Sequence, residues 1–249
     1  MLAIIGGSGL TQLATLEVLR KQIVRTPYGE PSGPLTYGHL AGGEVAFLAR
    51  HGYGHTLAPH EINYRANIWA LKEKGVTRIL AVCTVGCITP GLASGDIVIP
   101  DQIIDYTWGR KSTFFEGAEQ PVVHVDFTHP YCEATRGMLI EGARDAGVAV
   151  VPRGTYAAVQ GPRLETAAEI DRFERDGADL VGMTGMPEAA LARELGIPYA
   201  ALALVANPAA GRGTSAQAVS IEEISKVLKE TMGRVSLVVE KVVERHGHP

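Results

Sequence analysis

The sequence predicts a single α/β domain, with a central, mostly parallel sheet flanked by helices. Short apolar, β-branched runs alternate with amphipathic stretches along the whole chain. Three helix-to-strand junctions share one form, Lys74-Gly75-Val76, Ala146-Gly147-Val148 and Leu195-Gly196-Ile197. Each puts glycine where a helix commonly ends in a left-handed conformation. No linker, repeat or low-complexity tract divides the 249 residues, and 46% hydrophobic with 20% charged content suits one large buried core.

The first strand is predicted at Leu2–Ile5, and Gly6-Gly7-Ser8-Gly9 turns directly after it. A second strand is predicted at Val45–Leu48 and a helix at Ile62–Lys74, closed by Gly75. Strands at Arg78–Val82 and Ile97–Ile99 follow. From Tyr106 to Thr128 there is no clear period, yet Trp108, Phe114, Phe115 and Phe127 make the segment too apolar for a solvated loop. It is read either as a subunit contact or as packing within the monomer. A helix at Tyr131–Ala146 leads to a strand at Gly154–Val159. Thr166-Ala167-Ala168-Glu169 fits the capping box that opens a helix at Thr166–Asp176. Leu180–Gly182 reads as a strand, Pro187–Leu195 as a helix and Ala200–Val205 as a strand. The last helix, Ser220–Arg245, has the same cap pattern at Ser220-Ile221-Glu222-Glu223. Its apolar residues Ile221, Ile224, Leu228, Met232, Val235, Val239 and Val242 recur at three-four spacing, predicting one buried face.

The net charge of −4 supplies no electrostatic reason to expect DNA, RNA or an anionic membrane as partner, and leaves room for a local cationic pocket. No apolar stretch reaches the roughly 18–20 residues that cross a bilayer, and no basic segment precedes a signal-like core at the N-terminus. A cytoplasmic location is expected. Cys83, Cys87 and Cys132 make an odd count that suits a reducing compartment, and Cys83 and Cys87 without a second pair read as buried apolar residues rather than zinc ligands.

Four segments have residue types that suit chemistry. Gly6-Gly7-Ser8-Gly9 lacks the third glycine of a dinucleotide fingerprint, but its backbone N–H groups and hydroxyl suit an anion; a purely structural tight turn is the other reading. Arg50 and His51, at the end of an apolar strand and before glycines, also suit an anion, with a solvated surface turn as alternative. Metal binding by His51, His55 and His60 has no carboxylate spacing behind it, so no metal is expected. Gln160-Gly161-Pro162-Arg163-Leu164-Glu165-Thr166 joins a strand to a capped helix, where Glu165 is also favoured simply by the helix dipole. In Val181-Gly182-Met183-Thr184-Gly185-Met186-Pro187-Glu188 the Thr184 hydroxyl suits an anion and Met183 an irregular apolar surface such as a sugar face.

Taken in order, these segments resemble the trimeric purine nucleoside phosphorylase family, and within it the methylthioadenosine phosphorylase branch, over nearly the whole chain. The resemblance is carried by Ile5-Gly6-Gly7-Ser8-Gly9-Leu10, Leu48-Ala49-Arg50-His51-Gly52, Asn63-Tyr64-Arg65-Ala66-Asn67-Ile68-Trp69-Ala70-Leu71, Gly95-Asp96-Ile97-Val98-Ile99, Gly161-Pro162-Arg163, and Gly182-Met183-Thr184 followed by Pro187-Glu188. It implies the nucleoside phosphorylase fold, with a mixed, mostly parallel sheet. It further implies phosphorolysis of an N-glycosidic bond, with inorganic phosphate as co-substrate and no cofactor.

Carried over residue by residue, the resemblance implies that Ser8, Arg50, His51, Thr84 and Thr184 hold phosphate, with His55 adding to the cationic field. Met183 would lie along the ribose, and Asn207, Glu165 and Leu164 would meet the purine. Adenine-specific relatives place an aspartate at the position of Asn207, which is a strand-end turn residue on the plainer reading. A carboxamide can donate to a 6-oxo oxygen and accept from N7–H, and Glu165 can accept from N1–H. Ile221 and Ile224 stand where inosine- and guanosine-cleaving relatives use a histidine for the 5′-hydroxyl; an apolar wall suits a methylthio group instead, although both are also core positions on the predicted helix. His124 matches a histidine supplied by the neighbouring subunit of a homotrimer. The mixed pattern implies 5′-methylthioinosine as substrate, giving hypoxanthine and 5-methylthioribose 1-phosphate.

Overall fold

The computed structural model describes residues 1–10, 13–118 and 121–247. In chain order the elements are β1 (Leu2–Gly6), β2 (Glu17–Gln22), β3 (Leu35–Leu40), β4 (Gly43–Ala49), α1 (Tyr64–Glu73), β5 (Arg78–Cys87), β6 (Ile97–Val98), β7 (Gln102–Asp105), α2 (Glu133–Asp145), β8 (Thr155–Ala158), α3 (Ala167–Arg175), β9 (Leu180–Gly182), α4 (Glu188–Glu194), β10 (Tyr199–Pro208) and α5 (Ile221–His246). A short 3₁₀ turn spans Gly213–Ser215. The strands form one ten-stranded mixed sheet, in the order β2-β3-β4-β1-β5-β9-β8-β7, with β10 on β5 and β6 on β10.

The parallel pairings are β4 and β5 on β1, β10 on β5, and β7-β8-β9. The β2-β3-β4 meander, β5 on β9 and β6 on β10 are antiparallel. Helices α1 and α4 cover one face, where Ile68, Leu71, Ala189 and Leu191 join Ile5, Leu48, Ala81 and Val205. On the other face, α2 and α5 bring Leu139, Val235, Val239 and Val242 against Ile4, Phe47, Leu80 and Leu202. A third cluster packs Ile170 and Phe173 of α3 against Ala157, Val159 and Val181. Burial on both faces explains why the central strands read as unbroken apolar runs rather than as alternation.

The three junction glycines have positive φ, 76° at Gly75, 65° at Gly147 and 64° at Gly196, as the helix-end pattern predicts. Thr166 and Glu169 form the full capping box, while at α5 the Ser220 side chain accepts from the Glu223 N–H. Asn63 caps α1 from the Ala66 N–H, so that helix starts later than periodicity alone suggests. Within α2, a side chain at Gly142 would bring its Cβ within 2.6 Å of Val242 Cγ2, so glycine there sets how closely α2 and α5 pack.

Several expectations need correction. The edge strands β2 and β7, and β3 beside β2, are absent from the sequence reading. Glu17–Gln22 is solvent-facing and charged, so its strand state comes from pairing with β3 rather than from its own pattern. Strands β5 and β10 run on past Val82 and Val205 to Cys87 and Pro208, because each continues the other's ladder through polar and glycine positions. The buried face predicted for α5 holds only in its C-terminal half. Ile221 is 63% exposed, and Ile224, Leu228 and Met232 are half-buried. At about 1.5 Å per residue a helix of this length outreaches the sheet, and its first turns overhang the strand ends. The Tyr106–Thr128 segment, of which residues 119 and 120 lie outside the described chain, is divided: Phe114 is buried in the core, whereas Trp108 is 72% and Val122 76% exposed.

Candidate active site

The sheet splits along β5. One edge of β5 pairs with β10 over Ile79–Cys87, while the other pairs with β1 through Ala81 and with β9 only at Gly86 and Cys87. Between those partners, Val82–Val85 has no strand on that edge. Strands β1, β4 and β9 all end beside this opening, and a change of strand neighbours at carboxyl ends is where ligands bind in open α/β sheets. A cleft occupies it.

From β1, Gly7 and Ser8 enter the cleft; from β4, Arg50 and His51; from β5, Thr84, Val85 and Gly86. Met183 and Thr184 follow β9, and Asn207 comes from the end of β10. Leu164 and Glu165 arrive from the turn before α3, and Ile224 from α5. The cleft therefore gathers ten of the thirteen residues singled out in the sequence: Ser8, Arg50, His51, Thr84, Leu164, Glu165, Met183, Thr184, Asn207 and Ile224, with His55, Ile221 and His124 outside its lining. Ile221 is a correction. One residue into the helix, its side chain turns to solvent beside Glu222, Ser225 and Lys226 on the outer side of α5 and does not line the cleft. Val219, Ile224 and Leu228 form the apolar wall instead, with Pro59 contributing to the lining. His124 is exposed and does not line the cleft of its own chain.

The anion-like end is built by close backbone approach. A Cβ on Gly7 would stand 2.6 Å from the Val82 carbonyl oxygen and 2.9 Å from Arg50 Nη1, so only glycine allows the turn to lie on the guanidinium. Thr84 Oγ1 donates to the Ser8 carbonyl at 3.0 Å and ties that turn to β5. Ser8 Oγ and His55 Nε2 stand 3.5 Å apart.

Arg50 is fully buried, and its charge is matched by Glu188 at the start of α4. Arg50 Nε and Nη2 donate to the two Glu188 carboxylate oxygens at 2.7 Å each, and Nη1 donates to the Val82 carbonyl at 2.9 Å. Tyr199 Oη adds a donor to Glu188 at 2.9 Å. Burial works against the Arg50 charge, and the Glu188 carboxylate outweighs it and holds the guanidinium pKa well above its ordinary value. Glu188 closes the Val181–Glu188 segment, and the sequence alone does not show its pairing with Arg50. A carboxylate among the apolar residues Met186, Ala189 and Ala190 was the available signal, since buried charges need partners. The site is thus less cationic than its sequence suggests.

His51 donates from Nδ1 to the Leu57 carbonyl at 2.8 Å. Burial chiefly, with the nearby Arg50 and His55, lowers its pKa to about 4 against the raising effect of that hydrogen bond. At the other end of the cleft, burial raises the Glu165 pKa. Strand β10 slips register against β5 between Val205 and Asn207, a bulge that re-aims the strand's last side chains. Asn207 Nδ2 donates to the Pro208 carbonyl at 2.6 Å, which fixes the amide orientation and leaves its second N–H and its Oδ1 for another molecule.

Arg110 also escaped the sequence reading. Its Nη1 donates to the Met183 and Met186 carbonyls at 2.8 and 2.6 Å, and its Nη2 to the Val159 and Gln160 carbonyls at 3.2 and 2.8 Å. It clamps together the turns that follow β8 and β9. Among the described residues, no group of three or more His, Cys, Asp or Glu side chains is placed to hold a metal ion, and no helix is long and apolar enough to cross a membrane.

Comparison with known proteins agrees with this architecture. The family model described as "Phosphorylase superfamily" matches residues 1–244. The chain belongs to the phosphorylase superfamily. Within it, the chain is 53% identical over 241 residues to the "Probable S-methyl-5'-thioinosine phosphorylase" of Pseudomonas syringae pv. tomato, covering 97% of each chain. It is 54% identical over 215 residues to the 6-oxopurine nucleoside phosphorylase of Pyrococcus furiosus, covering 84% of this chain and 80% of that one. Among solved structures of the superfamily, methylthioadenosine phosphorylase from Schistosoma mansoni in complex with adenine superposes with a TM-score of 0.95 at 33% identity, covering 99% of this chain and 91% of that one.

Proposed function

We propose that this chain cleaves S-methyl-5′-thioinosine with inorganic phosphate, giving hypoxanthine and 5-methylthioribose 1-phosphate. The observation that carries the reading is one cleft with an oxopurine-compatible base edge at one end and an apolar sugar-end wall free of histidine. Asn207, oriented by the Pro208 carbonyl, has a donor for O6 and an acceptor for N7–H. Glu165 accepts from N1–H, and Leu164 packs on the base. Val219, Ile224 and Leu228 meet the methylthio group; a 5′-hydroxyl there would lose its hydrogen bond to water without replacement. The names of the bacterial relatives support the same substrate.

In this reading phosphate lies among Ser8, Arg50, His51, Thr84 and Thr184, with Met183 along the ribose. The C1′–N9 bond breaks ahead of attack, so C1′ becomes cation-like and the phosphate beneath it serves as counter-charge and nucleophile. The departing purine gathers negative charge, which Asn207 meets at N7 and O6. No covalent enzyme intermediate and no cofactor take part. His124 lies on an exposed stretch beside Val122 and Val123, and it closes the cleft of a neighbouring subunit in a homotrimer. The protein works in the cytoplasm.

Comparison of kcat/KM for methylthioinosine, methylthioadenosine and inosine, each with phosphate, tests the reading. Methylthioinosine leads by at least tenfold if it holds. A lead for methylthioadenosine removes the Asn207 argument, and parity with inosine removes the argument from the apolar wall. The P. furiosus relative favours inosine or guanosine as the second reading.

A further inference from the structure

At the anion end of the cleft, His51 is arranged as a hydrogen-bond acceptor rather than as a cation. The Leu57 carbonyl can only accept, so His51 Nδ1, 2.8 Å away, carries the ring proton. That leaves a lone pair on Nε2. Nε2 has no protein partner among the described residues, yet it is not one of the sealed, unpartnered atoms of the interior. In a residue only 6% exposed that lines the cleft, Nε2 is the ring nitrogen left for a ligand.

The surroundings oppose a second proton on the ring. Arg50 is adjacent in the chain, and the His55 ring lies 4.6 Å away, centroid to centroid. The Glu188 carboxylate has both oxygens occupied by Arg50 and makes no hydrogen bond to His51. Ser8, Thr84 and Thr184 are uncharged. An oxyanion with no proton would set its own lone pair against that of Nε2. Hydrogen phosphate brings a P–O–H.

We propose that His51 Nε2 accepts the hydrogen bond of the P–O–H group of bound HPO₄²⁻, so that the cleft selects a protonated oxyanion over an aprotic one of equal charge. The assignment rests on the reading of this end as the phosphate site. The remaining phosphate oxygens take donors from the Ser8 and Thr184 hydroxyls and the uncommitted N–H groups of Arg50, while Thr84, its proton given to the Ser8 carbonyl, holds that turn in place. The reaction balance suits it. A neutral nucleoside and HPO₄²⁻ become a neutral purine and a sugar phosphate dianion, so one proton passes from phosphate to purine as the C1′–O bond forms and the C1′–N9 bond breaks.

Titration calorimetry of the full chain at pH 8, in buffers of different ionisation enthalpy, tests the assignment with phosphate and sulfate as the probes. Phosphate is expected to bind with close to no proton uptake. Sulfate is expected to bind at least about tenfold more weakly, with uptake of about one proton as His51 becomes imidazolium, and its affinity should fall about tenfold per pH unit. Sulfate that fails to bind where phosphate does fits equally. In His51→Gln, whose amide can turn a donor toward either anion, sulfate should bind without proton uptake and the preference for phosphate should collapse. Equal affinities without proton uptake in the native protein, or uptake of a full proton with phosphate, overturn the proposal. Failure of both anions to bind overturns the phosphate-site reading itself, and this assignment with it.

Discussion

Replacing Asn207 by aspartate tests the base end of the cleft most directly. The native amide is held by its N–H to the Pro208 carbonyl at 2.6 Å. Asn207→Asp puts a carboxyl oxygen against that carbonyl. The new side chain must either turn or keep a proton to bridge the contact, and in both cases the donor aimed at O6 is lost. An unpaired polar group in a half-buried site costs about 1–3 kcal/mol, which is about 5- to 150-fold in rate for methylthioinosine. A 6-amino purine gains an acceptor worth about 1 kcal/mol, about fivefold. The ratio of kcat/KM for methylthioinosine to that for methylthioadenosine should therefore fall by about 25- to 700-fold. Glu165, also facing the cleft, should keep the reversal incomplete, since a carboxylate repels the N1 lone pair of adenine. Phosphorolysis followed by release of hypoxanthine or adenine gives both constants. A ratio unchanged within a factor of two would refute the argument that this amide touches the base.

Glu188→Gln should lower stability by about 3–5 kcal/mol, because it leaves the Arg50 charge buried without its partner; this corresponds to a fall in Tm of about 6–20 °C in calorimetry. Added phosphate should recover more of that loss than it adds to the native protein, and an unchanged Tm would mean that the pair contributes little. His51 has a folded pKa of about 4 against an ordinary 6.5, so its contribution is fully present above pH 6.5 and is lost as pH falls toward 4. Urea midpoints between pH 7 and 4 should show a loss of about 3 kcal/mol from this group, and His51→Gln should flatten that part of the profile. Ile224→Asn, by opening the apolar wall, should lower kcat/KM for methylthioinosine by about tenfold, as lost apolar burial costs about 1.5 kcal/mol. The same change should leave inosine level or improved, and equal losses for both substrates would show that Ile224 does not sense the 5′ group.

The alternation of apolar runs with amphipathic stretches was enough to predict the α/β class, the central parallel strands and all five helices, because those elements are buried in ways that periodicity records. Glycines and turn residues marked the strand ends that converge on the cleft. What periodicity could not show was β2, whose exposed charged residues pair only because β3 is beside them, or the outward turn of Ile221, which depends on α5 overhanging the sheet.

Local sequence thus determined the fold class and most of the residues that meet at the cleft, since burial and backbone conformation leave a signature within a few positions. Tertiary structure alone decided their chemical state. Glu188 lies 138 residues from Arg50 and neutralises it, the Leu57 carbonyl sets the ring proton of His51, and a bulge against β5 delivers Asn207 to the cleft. Charge, protonation and side-chain aim depend on partners brought together by folding, and no local pattern encodes those partners.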